Sequence, residues 1–340
     1  MAAATVPAPS VPKLHSRWII GRGVDLTLVI GSAVAGYGYL LLYAAMHVPI
    51  TWLWWFWSVG FDGTHIFATA TRTFFDSEAR VRDRKLLFGS LLVFFSLGPL
   101  MVLAGLKALL YLVVGVWAYY HVIRQHYGFM VLYKVKSRDL APLDNLLDRV
   151  LLGVMMVAPP FHRFFIHHPE ELGLPFSFPR AEVGLWVVVG ATGLVWAARQ
   201  IVRWRAGMPA GMPKFLLLGA VIPLHWFTFA YMSWQAAVPT VTIVHNLQYH
   251  ALVWFHNRNR YRGEEKYGRI PAAVSRSLLM YLGVGLAFSL AYRIPGFRLG
   301  QVSDLAFGFF CGFGLTHYYL DSRIWRVRHD PGLRAALKMA

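Results

Sequence analysis

Residues 86–105 read LLFGSLLVFFSLGPLMVLAG and contain no charged side chain. A helix needs ~20 mostly apolar residues to cross the hydrocarbon core of a bilayer, so this stretch predicts a transmembrane helix. Nine other stretches have the same character, and together they predict an all-α polytopic membrane bundle of about ten crossings. The predicted crossings are 24–46, 49–75, 86–105, 108–133, 147–166, 181–204, 213–233, 237–257, 273–293 and 301–322.

The composition supports a membrane protein over a soluble one. Hydrophobic residues make up 57% of the 340-residue chain and charged residues only 14%, whereas a soluble domain carries ~25% charged residues. The single cysteine, Cys311, excludes an intrachain disulfide and a thiolate metal site within one chain. We expect a tail at 1–23, a transmembrane domain at 24–322 and a basic tail at 323–340. The weakest crossing is 147–166, where Pro159 and Pro160 predict a short or re-entrant segment.

The formal net charge of +17 is distributed unevenly along the chain. Alternate connections hold 26 of the 33 lysines and arginines, and the opposite connections hold only five. By the positive-inside rule this asymmetry places both termini in the cytoplasm and the protein in the inner membrane. The basic loops then explain the charge through contact with anionic lipid head groups, without nucleic acid. The cations assigned to these loops include Lys134, Arg199, Arg203 and Lys214.

Histidines are concentrated in the predicted helices. Eight of the 14 lie in or at the ends of crossings: His65, His121, His126, His225, His245, His250, His256 and His317. All but His225 fall between the middle of the membrane and its cytoplasmic face in the predicted topology. Ionisable groups at membrane depth are costly and often functional, so these seven jointly indicate a buried metal or haem centre. Taken singly, His225 is better explained by a helix–helix hydrogen bond, and His256 suits an interfacial role as well as ligation.

The histidine spacing has two readings. His121 and His126, like His245 and His250, form an HxxxxH pattern, and residues five apart point ~140° apart on an α-helix. Such a pair lies on two sides of a dinuclear centre, or is brought together by a π-bulge. By contrast, His317 and Asp321 are four residues apart and share a helix face. Neutral imidazole suits iron, zinc and copper, and an added carboxylate favours iron or manganese.

Two further side chains are candidates for catalytic roles. Arg124 lies within the fourth crossing and keeps its charge there, so it needs an anionic partner. Asp321, Asp62 or the head group of a lipid substrate would serve. Tyr249 lies between the histidines of the eighth crossing and is placed to orient them through hydrogen bonds. The glycines between Phe307 and Leu315 predict close packing of the tenth helix.

The HxxxxH motifs at His121/His126 and His245/His250 resemble the first histidine box of the membrane-bound non-haem iron superfamily of fatty acid desaturases, hydroxylases and alkane monooxygenases. The resemblance implies a dinuclear iron centre that activates O₂ against a lipid or other hydrophobic substrate. It further implies electrons from a separate cytoplasmic donor, such as a reductase or ferredoxin-like protein. The implied metal ligands are His65, His121, His126, His245, His250, His256, His317 and Asp321, with Arg124 holding a substrate head group or balancing Asp321.

Two other functions fit the same residues. Histidine pairs on facing helices ligate haem in b-type electron-transfer proteins, although two imidazoles per iron would leave several of the seven unexplained. A transporter or scaffold would use histidines as proton relays or packing groups, and it predicts no stoichiometric metal.

Overall fold

The computed structural model describes residues 14–15, 17–208 and 210–339. Helices account for almost all of the regular structure in this part of the chain, which confirms the all-α prediction. Its one β pairing is a short parallel contact of β1 (Leu14–His15) with β2 (Ala210–Gly211). The predicted tail at 1–23 lies largely outside the described residues.

The α-helices range from single turns to a rod of 30 residues. In chain order they are α1 (Arg22–Val24), α2 (Ser32–Ala44), α3 (Ile50–Trp57), α4 (Gly63–Arg72), α5 (Ser77–Arg82), α6 (Arg84–Leu103), α7 (Lys107–Lys136), α8 (Pro142–Phe161), α9 (Glu182–Arg205), α10 (Met212–Tyr231), α11 (Trp234–Arg260), α12 (Arg269–Val274), α13 (Leu278–Val302), α14 (Asp304–Ile324) and α15 (Pro331–Ala336). π-Helical segments at Asp25–Ile30, Ser58–Asp62 and His162–His167 join or extend them.

Six helices in the described part of the chain are long and apolar enough to cross a membrane, as expected of a membrane protein. They are Arg22–Ala44, Arg84–Leu103, Pro142–His167, Pro179–Arg205, Met212–Tyr231 and Leu278–Val302. Large apolar side chains such as Leu92, Val183 and Leu279 are exposed on them, which suits contact with lipid rather than water. The segment from Pro142 to His167 is helical throughout and continues past Pro159 and Pro160.

The other four predicted crossings also form long helices. They are α3 and α4 joined through the π-helical segment, α7, α11 and α14. These four carry seven of the eight helical histidines, and their polar side chains lower the mean hydropathy. In α11 the polar side chains are buried along most of the helix, so they face other helices rather than lipid.

The chain divides into two compact units. The first unit contains residues up to 19 and residues 126–230, and the second contains residues 20–125 and 231–340. In the second unit α11 contacts α2 and α4, while α14 packs along α6. Gly98 on α6 and Gly308 on α14 form this crossing, since a Cβ on Gly98 would lie 2.0 Å from the carbonyl oxygen of Gly308. The prediction that glycines allow close packing of this helix is confirmed.

The first unit contains a buried network of ion pairs that the charge pattern did not predict. Lys134 and Lys214 both donate to Asp148, and Lys214 also donates to Asp139 at 3.1 Å. Arg203 bonds Asp139 at 2.6 Å and lies 2.9 Å from Asp144. These side chains are at most 3% exposed. Assigning Lys134, Arg203 and Lys214 to basic surface loops was therefore wrong, because each is neutralised inside the protein.

Candidate metal centre

Four histidines and one aspartate of the second unit converge in its interior. Their side chains come from α4, α7, α11 and α14 and are at most 9% exposed: His65, His121, His245, His317 and Asp321. The donor atoms form two overlapping groups, each with all its atoms within 4.8 Å of one another. One group is His65, His245 and His317, and the other is His121, His317 and Asp321. His317 belongs to both, so the two candidate positions for a cation are adjacent and share one ligand.

The hydrogen bonds of His65 and His317 assign their tautomers. His65 Nδ1 lies 2.5 Å from the carbonyl oxygen of Asp62, so Nδ1 carries the proton and Nε2 keeps its lone pair. His317 Nδ1 lies 2.7 Å from Thr69 Oγ1, which itself donates to Asp321 and therefore accepts from the imidazole. The two Nε2 atoms are 2.9 Å apart. Two lone pairs at this distance repel each other unless a proton or a metal ion binds them.

A second set of hydrogen bonds holds the carboxylate of Asp321. Tyr249 donates to Asp321 Oδ1 at 2.8 Å, and Thr69 donates to the same oxygen at 3.0 Å. The hydroxyls of Thr69 and Tyr249 are 2.7 Å apart. With Oδ1 occupied, Oδ2 is directed toward His121, whose Nε2 lies 3.7 Å away. The network thus leaves one carboxylate oxygen for a cation, as the hydrogen-bonded carboxylates around metal sites do.

Hydrogen bonds from two glutamines hold the backbone at His245 in place. Gln125 Nε2 donates to the carbonyl oxygen of His245 at 2.8 Å and lies 3.4 Å from Gln248 Oε1. Gln248 in turn donates to the carbonyl oxygen of Val29 at 2.8 Å. The imidazole of His245 meets those of His65 and His121 edge to face, with ring centroids 5.3 and 4.9 Å apart.

The two histidines of each HxxxxH pair point in different directions, because both pairs lie on regular α-helices. No π-helical turn interrupts α7 or α11, both of which are described in full, so residues five apart point in different directions. His121 and His245 join the cluster, whereas His126 packs against His225 with ring centroids 5.8 Å apart in the first unit. Neither pair converges on a single cation position.

His250 and His256 also lie outside the two donor groups. His250 Nε2 lies 2.9 Å from Thr64 Oγ1, and its Nδ1 lies 2.9 Å from the Tyr281 hydroxyl. Thr64 donates its own proton to backbone carbonyls, so its oxygen accepts from His250 Nε2. The Tyr281 hydroxyl then donates to Nδ1, and both imidazole nitrogens have a partner. His256 Nδ1 bonds Asn257 at 3.1 Å. These hydrogen bonds account for both nitrogens of His250 and one of His256, and the ligand roles of both residues stay predictions.

The ion pair near this cluster is formed by Arg293, whereas the sequence predicted one at Arg124. Arg124 is exposed on α7, and its predicted role toward a substrate head group stays a prediction. Asp62 instead forms an ion pair with Arg293. Arg293 was counted among the five cations of the opposite connections, but α13 continues to Val302 and places this residue inside the helix. The pair fixes Asp62, whose carbonyl oxygen sets the tautomer of His65.

Thr69 is the residue of the site that the sequence reasoning missed. It accepts from His317, donates to Asp321, contacts the Tyr249 hydroxyl at 2.7 Å and lies one turn after His65 on α4. The i,i+4 spacing that singled out His317 and Asp321 also relates His65 to Thr69, and it would have found this residue.

Comparison of the chain with protein-family models, curated proteins and solved structures gave no match, so the case for a function depends on the residues described above.

Proposed function

We propose that this protein is a membrane metalloenzyme whose non-haem iron centre oxidises a lipid or other hydrophobic substrate with O₂. The observation that carries the proposal is the 2.9 Å approach of two imidazole nitrogens whose opposite nitrogens are already engaged. A metal ion bound between His65 and His317 would satisfy both lone pairs, and four histidines with one carboxylate are a donor set suited to iron. The resemblance to the non-haem iron superfamily implies two iron ions, and His317 would bind one of them, because a neutral imidazole has a single lone pair.

Each residue of the centre has a distinct part in this proposal. His65, His121, His245, His317 and Asp321 would hold the metal, and bound iron would supply the activation of O₂. Thr69 and Tyr249 orient the ligands through hydrogen bonds, which makes Tyr249 a positioning residue. Burial of all five ligand side chains keeps bulk water away from the reacting atoms.

The proposed setting is a bundle of about ten crossings in the cytoplasmic membrane with both termini in the cytoplasm. The six apolar helices would face lipid, and the four histidine-bearing helices would direct their polar side chains toward other helices. A hydrophobic substrate would enter from the bilayer, and exposed Arg124 would meet its head group. A separate cytoplasmic protein would supply electrons at the basic end of α11, where Arg258 and Arg262 are exposed.

The spacing of the donor atoms favours non-haem iron over haem. Two axial imidazoles bind haem iron on opposite faces of the porphyrin, which requires their nitrogens to be ~4 Å apart. The Nε2 atoms of His65 and His317 are 2.9 Å apart, and His245 and His121 approach the same region. In a transporter or scaffold a proton instead of a metal ion would lie between the two nitrogens, and the metal content of the protein distinguishes the two cases.

Metal analysis and a visible absorption spectrum of the detergent-purified protein test the proposal. We expect close to two irons per chain and no Soret band, and then O₂ consumption with hydrophobic substrates once a reductant is supplied. A Soret band would replace the proposal with haem-based electron transfer. Protein purified without chelators that holds neither metal nor haem would support the transporter or scaffold.

A further inference from the structure

The first unit contains a third HxxxxH sequence, at His162 and His167, in the segment HRFFIH. This segment is π-helical rather than α-helical, and its last turn is closed by the amide of His168 bonding the carbonyl oxygen of Arg163. In a π-helix the backbone bonds join residues five apart, so residues i and i+5 lie on one face. The spacing that separates the histidine pairs of α7 and α11 here brings two imidazoles together.

A carboxylate from the next helix completes the arrangement. Glu182, the first residue of α9, places Oε1 3.1 Å from His162 Nε2 and 3.3 Å from His167 Nε2. The two Nε2 atoms are 3.1 Å apart. Donors bound tetrahedrally at 2.0–2.1 Å are about 3.3 Å from one another. The three atoms therefore form a triangle of the size that a tetrahedral metal ion requires on one face.

We propose that His162, His167 and Glu182 bind one Zn²⁺ ion. Two imidazoles and a glutamate are a known ligand set of zinc sites with an open fourth position. Mg²⁺ and Ca²⁺ prefer oxygen donors, which argues against either ion at this position. The side chains are 30–44% exposed, so the ion would enter from solvent. It would join the π-helical end of α8 to the start of α9 within the first unit.

The proposed zinc site shares no residue with the iron centre, and the experiment measures zinc binding separately from metal binding at that centre. Equilibrium dialysis against Zn²⁺ would use full-length protein with His65 and His317 both changed to Ala, which removes two of the five ligands of the other centre and breaks both of its donor groups. We expect this background protein to bind one Zn²⁺ that the further change H162A/H167A abolishes. Glu182→Gln should weaken the binding about 10- to 100-fold, because the two imidazoles remain.

His168→Ala is the matched control, because His168 follows His167 but bonds the exposed Glu170 instead. It should leave Zn²⁺ affinity unchanged. Zn²⁺ should also raise the unfolding temperature of the background protein and not that of the H162A/H167A form. Equal Zn²⁺ stoichiometry with and without His162 and His167, in protein that elutes as a folded species, would overturn the assignment. If the background protein misfolds, H162A/H167A is made in the wild-type chain instead. The variant should then bind one Zn²⁺ fewer than the wild-type protein.

Discussion

His65 and His317 are separated by 252 residues in the sequence, yet their Nε2 atoms lie 2.9 Å apart in the interior of the second unit. Each imidazole is held from its other side, His65 by a backbone carbonyl and His317 by Thr69. The protein thus fixes two lone pairs in contact with each other. Such an arrangement is costly in a buried site unless a proton or a metal ion binds there, and the proposed iron would remove this cost.

Replacing His317 by Ala should empty the centre, because His317 belongs to both donor groups. We expect the iron content to fall at least about tenfold, since even partners outside the ligand set contribute 10- to 100-fold to metal affinity. Elemental analysis of purified protein measures this. His250→Ala is the control, because His250 is engaged by Thr64 and Tyr281 and should keep its iron. Loss of iron in the His250 variant and not in the His317 variant would reverse the ligand assignment.

Tyr249→Phe removes one hydroxyl that donates to Asp321 and leaves the ring in place. We expect iron affinity to fall about 10- to 100-fold, because Asp321 loses one of two hydrogen bonds that orient it. Competition with a chelator of known affinity gives the change. Tyr120→Phe, at an exposed position of α7, should alter nothing. A purely structural role for Tyr249 would instead lower the unfolding temperature at unchanged iron affinity.

Much of the architecture could be predicted from the sequence, because lipid imposes a simple rule on helices. Twenty apolar residues in a row have one stable arrangement in a bilayer, and all ten predicted segments form helices. The i,i+4 spacing of His317 and Asp321 also predicted that their side chains lie close together, and His317 Nδ1 is 3.8 Å from Asp321 Oδ1.

The partners of these residues could not be predicted in the same way. Spacing along one helix does not reveal that Thr69 on α4 meets Asp321 on α14, since this depends on how the helices pack. The HxxxxH pattern was ambiguous for a related reason. Its meaning depends on whether the backbone is α-helical, as at His121, or π-helical, as at His162. Counting Lys134 as a loop cation failed because its buried partner Asp148 lies on another helix.

Gly98→Ala should disturb the centre from a distance. The new Cβ would lie 2.0 Å from the carbonyl oxygen of Gly308, so α6 and α14 would have to move apart, and α14 carries His317. We expect a loss of about 1–3 kcal/mol in stability together with lower iron occupancy. Thermal unfolding and iron analysis measure the two effects. Gly89→Ala on the same helix meets no atom within 4 Å and should be neutral or stabilising.

Asp148→Asn should destabilise the first unit strongly. The Asp148 carboxylate accepts from Lys134, Lys214 and Trp196, and removing its charge takes the carboxylate partner from the buried ammonium of Lys134, while Lys214 keeps Asp139. Breaking a buried ion pair in this way costs about 3–5 kcal/mol. The same change at Asp304, whose pair with Lys107 is exposed, should cost less than about 1 kcal/mol. Equal effects of the two substitutions on denaturant unfolding would contradict the role assigned to burial.

The ion-pair network should also make the protein sensitive to acid. Burial alone raises the pKa of Asp139, but Lys214 and Arg203 outweigh it and hold this pKa below its ordinary value. A carboxyl with a lowered folded-state pKa stabilises the protein above its unfolded pKa, near 3.9, and loses that contribution as pH falls through the folded value. Stability measured from pH 6 to pH 3 should therefore decline. Asp139→Asn should be less stable at pH 6 and should show a shallower decline, because one fewer carboxyl takes up a proton on unfolding. Parallel curves for wild type and variant would show that Asp139 does not contribute to the acid sensitivity.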